Sequence, residues 1–209
     1  MKLFNSMLCG LTLALAGASF ASATTVTSGP ITFNFGPTWC TSSTTGAAHA
    51  DCSSIVITTP APGAIDFSAL NAATEGNSTA DLTLDFSLTS TSAINAVGLT
   101  FSTVYLGEQV NSVTETIYSG STVVGYADVI AGKNVATTLS DNIALSGSYT
   151  SLTIVKDINL SGFAAGDFGS TSFIGQTYST TSTPEPVSMS LIGGGLALMG
   201  LVRLRKNKR

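Results

Sequence analysis

The chain has 209 residues, with eight Lys and Arg against twelve Asp and Glu, and a formal net charge of −4. Six of the eight basic residues sit near the two ends, so residues 24–183 carry only Lys133 and Lys156 against eleven acids and are nine charges negative. Such a body repels phosphate backbones and anionic lipid, which argues against nucleic-acid binding; it also holds no phosphate-cradling glycine loop and no nucleotide fingerprint.

The first residues read as an export signal. Lys2 supplies the positive start, residues 8–15 a short apolar stretch, and Ala21-Ser22-Ala23 a small-residue cleavage pattern, so residues 1–23 are expected to be removed by the general secretion machinery. Cys9 goes with them. Leu8 directly before Cys9, and an apolar stretch after it instead of before it, do not fit a lipoprotein.

Residues 24–175 form one Ser/Thr/Gly-rich acidic domain of alternating pattern, long enough for a real core. Ile31, Phe33 and Phe35 alternate with polar residues. From Asp81 to Leu88 every even position is apolar and every odd one polar, the mark of a strand with one buried face. Val97, Leu99, Phe101 and Tyr105 repeat the rhythm, as do Leu152, Ile154, Ile158 and Leu160. Lys156 interrupts the last series, which suits an edge strand or a paired charge. Residues 110–118 and 122–130 flank Ser119-Gly120-Ser121 as a hairpin. Residues 64–73 are the one stretch read as a short helical turn. Strands at this spacing predict an all-β fold, an antiparallel β-sandwich or jelly-roll-like single domain. Residues 176–183 read as a polar linker.

Chemistry-bearing residues are few. Cys40 and Cys52 are the body's two cysteines, and in an exported protein such a pair reads as a disulfide. A metal set of Cys40, His49, Asp51 and Cys52 is the less favoured alternative, since the compartment is oxidising and the spacing crowded. His49, the sole histidine, has no nucleophile motif to serve and is expected on the surface of the Cys40–Cys52 loop. Asp81 and Asp85 share a strand face, yet four residues of extended chain put them about 13 Å apart. Glycosidase carboxylates stand about 5–9.5 Å apart, so a hydrolase would need a partner from another strand, for instance Glu108 or Glu115. Calcium, were it bound, would take its oxygens from Asp167 or Asp141-Asn142, neither of which shows the ligand rhythm of a calcium loop. No cofactor is otherwise expected.

The C-terminus has three parts. Pro184-Glu185-Pro186 is held extended by its two prolines. The next sixteen residues are uncharged and glycine-rich, and as a helix reach about 24 Å, short of the roughly 30 Å hydrocarbon core. Arg203, Arg205, Lys206, Lys208 and Arg209 then form a basic stop-transfer cluster, which keeps the tip on the cytoplasmic side.

Proline-acid-proline, short span and basic end, residues 184–209, closely resemble the PEP-CTERM sorting signal of Gram-negative bacteria. The resemblance implies recognition by an exosortase, a membrane-embedded cysteine protease or transpeptidase. It further implies removal of the tail and release to the cell surface or extracellular polysaccharide matrix. The protein would then be anchored in the inner membrane only transiently, through the C-terminal span before processing. Taken together, the expectation is a non-catalytic structural, adhesive or carbohydrate-associated surface protein. The alternative is a secreted hydrolase acting on polysaccharide or protein.

Overall fold

The computed structural model describes residues 24–181. The export-signal residues Ala21 and Ala23, the Pro184-Glu185-Pro186 triplet, the apolar span and the basic cluster lie outside them. Eleven strands and one short 3-10 turn make up the described chain, and every strand pairing is antiparallel. Among the described residues no helix is long and apolar enough to cross a membrane.

The organising strand is β7 (Thr79–Leu106), 28 residues long. A straight strand of that length would run about 90 Å, so it must bend, and its pairing partners change along it. Its first half pairs with β2 (Ile31–Phe35) and β3 (Cys40–Thr45) on one edge and with the second half of β10 (Ser140–Ser161) on the other. Its second half pairs with β11 (Phe168–Thr181) and with the start of β10. The β7–β10 ladder slips between Ala144 and Ser151, where β10 accommodates extra residues around Gly147. Irregularities of this kind bend a strand and increase its twist.

Two layers result. One holds β2 (with β1, Thr24–Ser28, on its edge), β3, the first half of β7, the second half of β10, β8 (Val110–Ser119) and β9 (Thr122–Gly132). The other holds β6 (Ala64–Glu75), β11, the second half of β7 and the start of β10, with β4 (His49–Asp51) and β5 (Val56–Thr58) on the outer edge of β6. They face each other across an aromatic core. Phe67 of β6 lies 6.2 Å from Phe35, 5.5 Å from Phe86 and 6.4 Å from Trp39 by ring centroids, and Tyr178 of β11 lies 5.6 Å from Phe33. Such tilted and edge-on pairs add about 0.5–1.5 kcal/mol each beyond area burial.

The alternating series read in the sequence are all strands, with the even residues 82–88 of β7 buried. The 110–130 hairpin closes through Gly120 at φ +60°, a left-handed turn that glycine adopts without steric cost. Two expectations are corrected, at residues 64–73 and from residue 176, and one pair of alternatives, at Lys156, is decided. Residues 64–73 form no helical turn but lie in β6, paired on both edges. A bulge at Ala69 (φ +54°) flips the buried face from Ile65 and Phe67 to Leu70 and Ala72, and that shift disguises the period of two. Of the two readings of Lys156, the paired charge holds and the edge strand does not, since β10 lies between β7 and β8. The expected linker from residue 176 runs, as far as Thr181, as the second half of β11, with Gln176 and Tyr178 buried. Its polar composition reflects the exposed alternate positions and one polar core residue.

Candidate functional site

Because side chains alternate, one face of the first layer is the core and the other is open. Register fixes which residues stand side by side on that open face. One row runs Tyr126, Thr116, Val155, Asp85, from β9 through β8 and β10 to β7. Its neighbour runs Val123, Tyr118, Thr153, Ser87, Asn34. On the other side lies Asp128, Thr114, Asp157, Thr83, Thr41. Adjacent strands lie about 4.8 Å apart, so these rows form a grid of hydroxyls and carboxylates, interrupted by Val155 and Val123, with two tyrosines toward its β8–β9 side. Tyr126 is 55% exposed.

A depression opens beside residues 36–39, which join β2 to β3 along one edge of β7. Asn34, Gly36, Thr38, Trp39, Asp85, Phe86, Ser87 and Thr153 line about 200 Å³. That connection is held by the Asp85 amide donating to the Trp39 carbonyl at 2.7 Å, while the indole itself turns into the core against Phe35. Hydroxyl, amide and carboxylate side chains thus converge on one shallow concavity.

The same face carries a carboxylate pair. Asp157 sits diagonally across the β7–β10 ladder from Asp81, whose own register partner is Asn159. Partial burial, then the charge of Asp81 and a hydrogen bond to it, raise the Asp157 carboxyl above the usual aspartate range. Asp157, and neither Glu108 nor Glu115, is therefore the partner that another strand supplies to Asp81. The two carboxylates stand on neighbouring strands of an open sheet face, not in an enclosed cleft.

The two glutamates are engaged elsewhere. Glu108 accepts from Lys133 Nζ at 2.5 Å and from Asn134 at the surface. Glu115 is fully buried and pairs with the equally buried Lys156, its register partner. Gln176 Nε2, arriving from the opposite layer, donates to Glu115 Oε1 at 2.5 Å. Burial pushes the Lys156 ammonium below the usual lysine range despite Glu115 beside it. Burial, with the charge of Glu115 adding, pushes the Tyr178 hydroxyl well above the ordinary tyrosine range.

Cys40 and Cys52 are joined in a disulfide, Cα–Cα 5.8 Å, so the metal reading of that loop loses both its sulfurs. Asp51 in the same loop accepts from the Ser53 amide at 2.8 Å. His49 is exposed, its Nε2 2.8 Å from Asn71 Nδ2. Among the described residues no group of three His, Cys, Asp or Glu is placed to hold a metal ion. The carboxylate of Asp167 accepts from the amides of Glu108, Phe163 and Ala164, each at 2.8 Å, and so ties a loop instead of offering free oxygens. These bonds hold its pKa below the usual aspartate range. Asp141 Oδ2 accepts from the Asp128 amide at 3.1 Å.

Sequence reasoning missed the assembled face: Tyr118, Tyr126, Trp39 and Asp157 were not singled out. The polar odd positions of β7 and β10 were visible, but which of them stand together depends on register.

The class this defines is an all-β antiparallel protein with an open, acidic, hydroxyl-rich sheet face. No protein-family model matches the chain, and no curated protein matches it in sequence. Solved structures that resemble it include TmCBM61 in complex with β-1,4-galactotriose, at 11% identity and a TM-score of 0.33, covering 68% of this chain and 90% of that one. Another, described as carbohydrate-binding modules from the β-sandwich superfamily, is 16% identical with a TM-score of 0.32, covering 69% of this chain and 57% of that one. A family 12 xyloglucanase from Bacillus licheniformis is 10% identical with a TM-score of 0.23, covering 68% and 99% respectively. At these scores the architecture and the surface rest on this chain's own strand pairing.

Proposed function

We propose that this is an exported, non-catalytic surface or matrix protein whose β domain associates with extracellular polysaccharide through the open face of its first layer. The observation that carries the reading is the grid itself. Its rows bring hydroxyls, carboxylates and the rings of Tyr118 and Tyr126 onto one surface beside the Asn34–Thr153 depression. Sugar rings offer an apolar face to an aromatic ring and hydroxyls to paired acceptors, so this surface matches a glycan chemically. Asp81, Asp85, Asp128 and Asp157 on the same face disfavour anionic glycans and suit neutral or amino-sugar chains.

Delivery rests on residues 184–209, whose resemblance to a PEP-CTERM signal assigns processing to an exosortase near Pro184-Glu185-Pro186. Intact-mass measurement of the native surface protein tests this: a product still ending at Arg209 would make the tail a plain anchor.

Binding is tested by affinity electrophoresis through gels containing neutral glucans, galactans, chitosan or alginate. Retardation is expected with neutral or amino-sugar polymers and not with alginate. Tyr126→Ala should weaken it by about 1 kcal/mol or more, roughly fivefold, as truncation of an aromatic anchor does. No retardation by any polymer, or equal retardation of the variant, sinks the proposal. The alternative of a hydrolase finds its one support in the Asp81–Asp157 pair. It would be adopted if glycan turnover were detected and abolished by Asp157→Asn.

A further inference from the structure

The buried trio of Lys156, Glu115 and Gln176 has no part in the surface reading. Lys156 and Glu115 are both fully buried. Around the pair on the same face stand Leu84, Val113, Ile117, Ile154 and Ile158, all buried and all without a polar side-chain atom. An ion pair in such surroundings recovers its desolvation cost poorly, and two apolar residues in its place are often as stable or more so. A device that needs a primary amine against a carboxyl in a dry place is one reason to keep it.

We propose that Lys156 and Glu115 form an intramolecular amide bond, so that β10 and β8 become covalently cross-linked in the folded protein. The amine and carboxyl are directly opposed in register and already in contact. Proton transfer from Nζ to Oε2 converts the ion pair to neutral amine and carboxylic acid, the direction in which burial drives Lys156. The Nζ lone pair then attacks Cδ of Glu115, forming the N–C bond and moving the carbonyl π electrons onto Oε1. Gln176 Nε2 donates to that oxygen at 2.5 Å and stabilises the charge developing there. Collapse re-forms the carbonyl and breaks the Cδ–Oε2 bond. The departing hydroxyl takes a second proton from Nζ and leaves as water. An ammonium and a carboxylate thus become one amide and one water, with no oxidant or co-reactant. Gln176 Oε1 and the Tyr178 hydroxyl are buried near the pair and have no hydrogen-bond partner among the described residues, so polar atoms remain to receive the water as it forms.

Mass spectrometry of the purified full chain, reduced to open the disulfide, tests this directly. The expected mass falls short of the sequence by one water, within whichever termini the protein carries. Trypsin should fail to cut after Lys156, and the peptide containing Glu115 should be joined to the one containing Lys156. Lys156→Arg keeps the cation but has no primary amine, and should show the full mass. A wild-type chain of full mass that trypsin cuts at Lys156 overturns the proposal. So does a deficit of one ammonia with Lys156 joined to Gln176, because the acyl partner would then be the glutamine. The wild-type measurement decides even if the variant fails to fold.

Discussion

The closure of the two layers on each other is most sharply tested at Phe67. This ring belongs to β6 and is fully buried, yet its neighbours Phe35 and Phe86 belong to the other layer, at 6.2 and 5.5 Å. Phe67→Ala removes the ring where three others surround it and collapse is difficult, so the loss should fall at about 3–5 kcal/mol. Against a total stability of about 5–15 kcal/mol that is a large fraction. For a domain of this size it corresponds to a fall in Tm of roughly 6–20 °C. Guanidinium unfolding followed by fluorescence suits the measurement, because the chain's one tryptophan, Trp39, lies 6.4 Å from Phe67. A double-mutant cycle of Phe67→Leu with Phe86→Leu isolates the contact across the layers and should give a coupling of about 0.5–1.5 kcal/mol. A loss below about 1 kcal/mol for Phe67→Ala, in the range of ordinary surface changes, together with zero coupling, would refute the face-to-face arrangement.

Other expectations follow from single features. Replacing Cys40 and Cys52 by alanine should cost about 2–4 kcal/mol by freeing a short loop, read as a drop in the denaturation midpoint. Two freely alkylated thiols in an unreduced digest would show that no such bond exists. Asp167, whose pKa is held low by the Glu108, Phe163 and Ala164 amides, contributes stability above the unfolded aspartate pKa of about 3.9 and loses it as pH falls through the lower folded value. Asp167→Asn should therefore flatten the acid limb of the stability profile; an unchanged limb contradicts the loop tie. Asp157 has the opposite sign: its pKa is raised by burial and by Asp81, so its stabilising contribution is present at low pH and lost as pH rises through the folded value. Asp157→Asn should accordingly raise the midpoint near neutral pH and not at pH 3. Gly169→Ala would set a Cβ 2.5 Å from Gln109 Cδ and 2.6 Å from Asn111 Oδ1, both residues fully buried, and should cost about 1–3 kcal/mol by denaturant titration.

The sequence by itself determined the fold class and most of the strands. In residues 82–88 the buried even positions were legible because a half-buried strand must alternate, whatever it packs against. The Cys40–Cys52 bond was legible because the body offers those two thiols and no others. Ala69 shows where this legibility stops: a one-residue bulge reverses which parity is buried, and only pairing with β11 and β4 reveals β6 as a continuous strand. The same holds at Gln176 and Tyr178, which composition placed in a linker and tertiary contact places in the core. Register decides the open face as well. Asp81 and Asp157 are far apart in the chain, and so are Tyr126 and Asp85; neither pair has any local signal of proximity. Lys156 marked itself as anomalous in an apolar series, but its partner on β8 and the glutamine that reaches them from the opposite layer are set by packing at long sequence separation, which no local pattern encodes.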